Sequence, residues 1–143
     1  MSDARPPAAK PVITRSRAVW RGNRQFDAGP EGRTHLIDGS AKVAPGPLET
    51  LLNAIATCSA VDVLDILEKR RTPVERLTIE LVAHRRPEQP RRVMRLEIQF
   101  RISGAGIDHA HAQRAVDLSI EKYCSVAASL APDLAIEASV LLE

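Results

Sequence analysis

Aromatic side chains are scarce in this sequence, where they make up 3% of 143 residues. A chain of this length suits one domain with a real core, so we expect that core to consist of Leu, Ile, Val and Ala. A dominant charge is missing too, because 20 Lys and Arg stand against 18 Asp and Glu, for a net charge of +2. So weak and mixed a charge argues against binding to nucleic acid or to an anionic membrane.

Cysteine is almost absent, with Cys58 and Cys124 as the only two. Two cysteines are too few for a disulfide framework. The first residues are polar and rich in proline, which argues against a signal segment and predicts a disordered tail over residues 1–11. We therefore expect a cytoplasmic protein, in which a cysteine pair is more often redox-active or merely buried than a structural cross-link.

Several common catalytic and metal-binding motifs are also missing, among them a glycine-rich phosphate loop, a Ser-His-Asp order and H-E-x-x-H. His109 and His111 are two positions apart on a predicted helix, so they do not face each other as metal ligands would. His35 and His84 are isolated on predicted strands. We expect four surface histidines, no metal site and no cofactor.

The rest of the chain alternates between extended and helical patterns. Extended runs bounded by turn residues predict six strands: 13–21, 24–27, 33–37, 77–84, 94–102 and 134–142. The first three form an antiparallel meander with Trp20 and Phe26 as its apolar anchors. A helix capped by Asp108 is expected to run to about Lys122, and a short helical piece follows at 125–130. This order predicts an α+β fold in a single domain, residues 12–143.

The segment from Pro45 to Arg71 is predicted to be one long helix around which the chain is organised. Pro47 suits its first turn, and apolar residues spread around most of its circumference. A helix that is apolar nearly all round is expected to be buried. It is not predicted to span a membrane, because its polar residues would be costly in lipid. These polar residues are Glu49, Asn53, Asp62 and Asp65.

Cys58 lies near the middle of this helix, and Cys124 lies 66 positions later on another element. Three interpretations stay open on the residues alone. Both cysteines can be inert and buried. They can bind a metal, although two thiols without C-x-x-C or a converging histidine pair make poor zinc spacing. They can also form a redox couple in which one thiol attacks a substrate and the other resolves it.

The sequence position of each cysteine predicts that Cys124 is the more acidic thiol. Cys124 immediately precedes the short helical piece, whose N-terminus would stabilise a thiolate. Cys58 lies among alkyl groups, and burial there would raise its pKa. On this argument Cys58 would serve as a nucleophile only if an arginine of the N-terminal meander were brought to it.

Three segments resemble the OsmC/Ohr family, and within it most closely the YhfA-type OsmC-like branch. They are PGPLETLLNAIATCSAVDVLDILEKRR, PRRVMRLEIQFRISG and RAVDLSIEKYCSVAASL. The resemblance covers nearly everything from Trp20 to the C-terminus. It implies an OsmC-like fold: an intertwined α+β homodimer with the long helices packed centrally and an antiparallel sheet from each subunit outside.

The resemblance also implies a cysteine-based peroxidase of oxidative-stress defence that reduces organic hydroperoxides. By position, Cys58 matches the peroxidatic cysteine, which becomes a sulfenic acid. Cys124 matches the resolving cysteine, which closes a disulfide that an external dithiol then reduces. Glu49 matches the family's active-site glutamate. The activating arginine would come from the N-terminal meander, with Arg33 as our candidate ahead of Arg21 and Arg24.

Two other functions compete with the peroxidase. A non-catalytic dimer that binds a small ligand or has a regulatory role could keep the same fold and thiols. An acyl-thioester hydrolase with Glu49 as base would share the long helix wrapped by a sheet, but it explains neither cysteine and ranks last. An arginine within reach of Cys58 is the feature that would favour the peroxidase over the non-catalytic dimer.

Overall fold

The computed structural model describes residues 6–143, and residues 1–5 of the predicted disordered tail lie outside the described residues. Residues 6–17 form neither helix nor strand. The chain divides into two compact units, residues 1–47 and residues 48–143. A single domain over residues 12–143 stays a prediction.

The first unit contains the predicted antiparallel meander. Its strands are β1 (Ala18–Gly22), β2 (Gln25–Ala28) and β3 (His35–Asp38), in the order β1-β2-β3. β1 begins five positions later than predicted, because strand pairing starts at Ala18, opposite the last residue of β2. Before it, the Arg17 carbonyl accepts a hydrogen bond from the Gly29 N–H at 2.8 Å. Trp20 lies opposite Phe26 as a cross-strand pair, but it is 65% exposed. Trp20 is therefore not a buried anchor of this unit.

A buried carboxylate, Asp38, organises the loop after β3. It accepts hydrogen bonds from the Ser40 hydroxyl at 2.6 Å and from the backbone N–H groups of Ser40, Lys42 and Val43 at 2.9–3.1 Å. These donors, the Ser40 hydroxyl first, hold the pKa of Asp38 far below its ordinary value. The sequence indicated a turn here but not this network.

The second unit contains three helices and a three-stranded sheet. Its elements are α1 (Pro47–Lys69), β4 (Arg76–Arg85), β5 (Val93–Ser103), α2 (His109–Leu118), α3 (Ser125–Ala128) and β6 (Ala135–Leu142). β5 is the central strand, antiparallel to β4 and parallel to β6. The α+β architecture that the sequence predicted is therefore present. The antiparallel sheet that the resemblance implied is wrong for this unit, because β6 runs parallel to β5.

The predicted end of α2 was wrong. Asp108 caps the helix as expected, with its side chain accepting from the His111 N–H at 2.9 Å, but α2 stops at Leu118. The next five residues, Ser119–Tyr123, form a single π-helical turn, which we call the π turn. The N–H of Cys124 closes it by donating to the Ser119 carbonyl at 2.7 Å. A wider turn of this kind cannot be read from apolar periodicity, and such turns are frequent at functional sites.

The core of the second unit lies between the sheet and two helices. β5 supplies four buried side chains in strict alternation, Leu96, Ile98, Phe100 and Ile102. They join one cluster with residues of α1 and α2, namely Ile55, Val63, Leu67, Ala112, Ala115 and Val116. The predicted aliphatic core is confirmed, with Phe100 as its aromatic member.

Within the single chain, α1 is buried along one face only. Ile55, Ser59, Val63 and Leu67 are among its buried residues, whereas Leu51, Val61 and Leu64 are 38%, 56% and 39% exposed. By length and composition alone α1 could cross a membrane. The core helix of a soluble protein passes the same test, and α1 does contribute residues to the core cluster.

Candidate active site

The structure brings the two cysteines together. Cys58 is half-buried on α1, and Cys124 is buried at the junction between the π turn and α3. Both are free thiols, and they are near enough for each side chain to affect the pKa of the other. The hydroxyl oxygen of Ser125 lies 3.9 Å from the Cys58 sulfur. Residues 124–126 thus lie directly against the middle of α1.

Cys58 is the more acidic thiol of the pair. A hydrogen bond from the backbone N–H of Val126 lowers the pKa of Cys58, and further hydrogen bonds from Cys124 and Ser125 add to this effect, outweighing burial. Burial does raise the pKa of Cys58, as we expected, but the hydrogen bonds outweigh it, so the net shift is downward. The backbone N–H groups of Ser125 and Val126, at the start of α3, therefore act on the thiol of α1.

Cys124 is shifted in the opposite direction. Burial raises the pKa of Cys124, and the hydrogen bond with Cys58 and its charge raise it further. The N–H of Ala127 does donate to the Cys124 sulfur at 3.4 Å, as the helix-terminus argument supposed. Desolvation of this buried thiol is the larger effect, so the expectation that Cys124 is the more acidic cysteine was wrong.

Glu49 and Arg33, the other two predicted site residues, lie elsewhere along the chain. Glu49 is exposed in the first turn of α1, nine positions before Cys58. Arg33 lies between β2 and β3 in the first unit, where its backbone N–H donates to the Pro30 carbonyl at 2.9 Å. Arg21, another candidate, pairs with Asp27 at 3.3 Å. The site roles of Glu49 and Arg33 stay predictions.

An apolar cavity of about 220 Å³ lies along the N-terminal part of α1. Ile55, one helical turn before Cys58, lines it together with Leu51 and Leu52. The opposite wall comes from β5 and from residues 130–134, which follow α3. Arg92 is the one charged lining residue, and its guanidinium binds the Asp133 carboxylate at 2.7 and 3.0 Å.

Residues 6–143 contain no group of three or more His, Cys, Asp and Glu side chains that could hold a metal ion. Three of the four histidines have local partners. His84 lies 2.8 Å from the Glu97 carboxylate, and His109 lies 3.1 Å from the Val140 carbonyl. His111 pairs with the capping Asp108.

Two neighbouring thiols, one on a long helix and one at the start of a short helix, form a candidate dithiol site in a small α+β protein. Residues 38–139, more than two thirds of the chain, match the family described as OsmC-like protein. The chain therefore belongs to the OsmC-like family, and the resemblance that we drew from three segments is confirmed.

Known relatives agree with this assignment. The chain is 44% identical over 117 residues to protein YhfA of Escherichia coli K12, covering 80% of this chain and 87% of YhfA. A solved structure of a hypothetical protein from Aquifex aeolicus shares 29% identity and a TM-score of 0.79, covering 92% of this chain and 98% of that one. The organic hydroperoxide resistance protein OhrB of Bacillus subtilis, at 12% identity and a TM-score of 0.62, shares the fold over 91% of this chain and all of its own.

The two pKa shifts predict different alkylation rates for the two cysteines. Iodoacetamide should label Cys58 well before Cys124 at pH 7, because the thiolate is the reacting species and Cys58 is also the more accessible thiol. As the pH is raised, the alkylation rate of Cys58 should reach its plateau below pH 9.0, the ordinary thiol pKa. The rate of Cys124 should reach its plateau only above that pH. Peptide mass spectrometry at a series of pH values measures both rates. Denatured protein, in which both cysteines should react alike, is the control; faster labelling of Cys124 in the folded protein would contradict the prediction.

Proposed function

We propose that the protein is a thiol-dependent peroxidase that reduces organic hydroperoxides through the Cys58–Cys124 couple. One observation carries the proposal: residues 124 and 125 lie against Cys58, so that an accessible thiol and a buried thiol share one site. The surroundings lower the pKa of Cys58 and raise that of Cys124. A nucleophile needs a lowered pKa, because the thiolate is the reactive form. A resolving thiol that stays protonated does not compete for the peroxide.

The proposed reaction has two steps on the protein. The Cys58 thiolate attacks the outer oxygen of the hydroperoxide, the O–O bond breaks, and the alkoxide leaves and takes a proton to become an alcohol. Cys58 is now a sulfenic acid, which Cys124 attacks to form a disulfide and water. An external dithiol then reduces the disulfide by exchange and is itself oxidised.

The family supports this chemistry in general terms. Membership of the OsmC-like family is established by sequence, and the fold is shared with proteins named for organic hydroperoxide resistance from Bacillus subtilis and Legionella pneumophila. The pKa of Cys58 further supports the proposal, because hydrogen bonds from residues 124–126 stabilise the Cys58 thiolate. An arginine would therefore add to an existing preference for the thiolate rather than create it.

We also propose that the working unit is an intertwined homodimer with the two α1 helices packed at its centre. The exposed apolar side chains of α1, Leu51, Val61 and Leu64, support a packed partner. Two-fold dimers are the commonest closed assemblies. In this dimer Glu49 and Arg33 would complete the site around Cys58, and no cofactor takes part.

The proposal is tested by consumption of an organic hydroperoxide in the presence of a dithiol reductant. We expect steady turnover by the wild type. In the absence of reductant, one equivalent of hydroperoxide should give a linked peptide joining Cys58 and Cys124, detected by mass spectrometry. The two Cα atoms must then lie about 4.4–6.8 Å apart, or reach that distance by a small movement. Overoxidised Cys58 with no linked peptide would contradict the couple.

A second candidate function is a non-catalytic dimer that binds a small apolar ligand. The apolar cavity beside Ile55 favours it, because mostly hydrophobic concave sites are typical of small-molecule binding. This function predicts no peroxide turnover in the wild type, and a loss of ligand binding when the cavity is filled by Leu52→Phe. Turnover that depends on Cys58 would decide against it.

A further inference from the structure

Ser119 connects the two segments that carry the cysteines. Its backbone carbonyl accepts from the N–H of Cys124 at 2.7 Å, which closes the π turn. Its hydroxyl donates to the Asp62 carboxylate of α1 at 2.7 Å and lies 3.4 Å from the Ser59 carbonyl. Ser59 follows Cys58 directly, and Asp62 is one helical turn beyond it. One residue therefore hydrogen-bonds to both thiol-bearing segments.

We propose that the hydrogen bond between Ser119 and Asp62 positions Cys124 beside Cys58, and so determines how often oxidised Cys58 closes a disulfide instead of being oxidised further. The inference rests on the proposed peroxidase function. Ser119 and Asp62 are positioning residues, since they act through the backbone of the π turn and not on the substrate.

Because Ser119 is buried, its hydrogen bond to Asp62 is expected to be stronger than one on the protein surface. Ser119 is completely buried, and a hydrogen bond from a buried hydroxyl to a carboxylate is stronger than one between neutral groups. Asp62 is only half-buried, so water can replace its partner when Ser119 is changed. Loss of the contact should therefore loosen the π turn on α1 without unfolding the domain.

Two reactions compete for the sulfenic acid on Cys58. If Cys124 attacks Cys58–SOH, a disulfide and water form. If a second hydroperoxide reaches it first, Cys58 becomes a sulfinic acid and the hydroperoxide becomes an alcohol. The outcome depends on how closely Cys124 is held, because proximity sets the rate of the intramolecular step.

The test measures disulfide closure and overoxidation in Ser119→Ala and Asp62→Ala. We expect each variant to close the Cys58–Cys124 disulfide about tenfold more slowly. The hydroperoxide concentration that converts half of Cys58 to sulfinic acid should fall by about the same factor. The first step, consumption of one equivalent of hydroperoxide by Cys58, should slow much less than closure, because the variants loosen residues 124–126 but keep the groups that stabilise the Cys58 thiolate. A general loss of structure would slow both steps alike.

Matched variants separate the contact from other effects. Ser59→Ala removes an equally buried hydroxyl next to Cys58 that bonds only within its own helix, so closure should stay at the wild-type rate. Asp62→Asn keeps an accepting oxygen and should restore most of the closure rate. The double variant Ser119→Ala/Asp62→Ala should be no slower than either single variant, because both remove the same bond.

Wild-type closure rates in folded Ser119→Ala and Asp62→Ala would overturn the inference, and so would effects that multiply in the double variant. If Ser119→Ala does not fold, Asp62→Ala and Asp62→Asn decide, since Asp62 is half-buried. If the wild type consumes no hydroperoxide, the proposed function fails. The inference is then still tested by closing the disulfide with diamide, a two-electron thiol oxidant that is itself reduced to a hydrazine.

Discussion

Replacing Cys58 with serine should reduce hydroperoxide consumption to the rate of the uncatalysed reaction. The serine hydroxyl has almost the same shape as the thiol but is not ionised at neutral pH, so the hydrogen bond from Val126 has no thiolate to stabilise. Cys124 cannot take over, because burial raises its pKa. The measurement is steady-state consumption of an organic hydroperoxide with excess dithiol.

The matched control is the same substitution at the other cysteine. Cys124→Ser should still consume one equivalent of hydroperoxide per chain, because the Cys58 thiolate remains. It should then stop with a sulfenic acid on Cys58, which dimedone traps and mass spectrometry locates. The reverse pattern, with Cys58→Ser active for one turnover and Cys124→Ser inactive, would show that Cys124 is the nucleophile. Full activity in both variants would refute the peroxidase proposal.

Mixing two inactive variants, Cys58→Ser and Glu49→Ala, should restore activity. Both residues lie on α1, which is one continuous helix. Their separation of nine positions places them roughly 180° apart around the helix and about 13 Å apart along it. Two side chains so arranged cannot serve one pocket from the same helix. If Glu49 acts at the Cys58 site, it must come from the second chain of the proposed dimer.

In a mixed dimer, Cys58 of the Glu49→Ala chain would meet Glu49 of the Cys58→Ser chain, which gives one intact site. Statistical mixing makes half of the dimers mixed, so about a quarter of the wild-type activity should return. The mixture must be refolded or allowed to exchange subunits, and mixed dimers verified by native mass spectrometry.

The control for complementation combines Cys58→Ser with the double variant Cys58→Ser/Glu49→Ala. No arrangement of those chains contains both intact residues, so no activity should return. Inactive mixed dimers in the main experiment, when both single variants are themselves inactive, would refute a shared site. A protein that stays monomeric at working concentrations would also refute it.

Local patterns determined most of the secondary structure. Alternation along residues 94–102 predicted β5 and its buried face, because the side chains of a strand point to opposite sides whatever its partners are. Asp108 was recognised as a cap since its bond to the His111 N–H spans only three residues. The π turn was missed, because a five-residue spacing over one turn leaves no periodic signal.

The acidity of the thiols could not be predicted in the same way. Cys124 adjoins the start of α3 in sequence, which suggested that the helix terminus acts on it. In the folded chain the hydrogen bond from Val126 is the largest influence on the pKa of Cys58, while burial is the largest influence on that of Cys124. The hydrogen bonds and the desolvation of each thiol depend on residues about 66 positions away in the sequence. Composition and local pattern do not predict which of those residues come near.

Sequence patterns were enough to predict the α+β class, the aliphatic core, the long helix with Cys58 at its middle, and the family from the segments around both cysteines. Those features follow from side-chain periodicity, caps and residue order, which act over a few positions. The folded chain was needed to show which thiol has the lowered pKa, which face of α1 is buried within the chain, and that Ser119 connects Asp62 with Cys124. These depend on contacts between distant segments, whose energies exist only once the chain has folded.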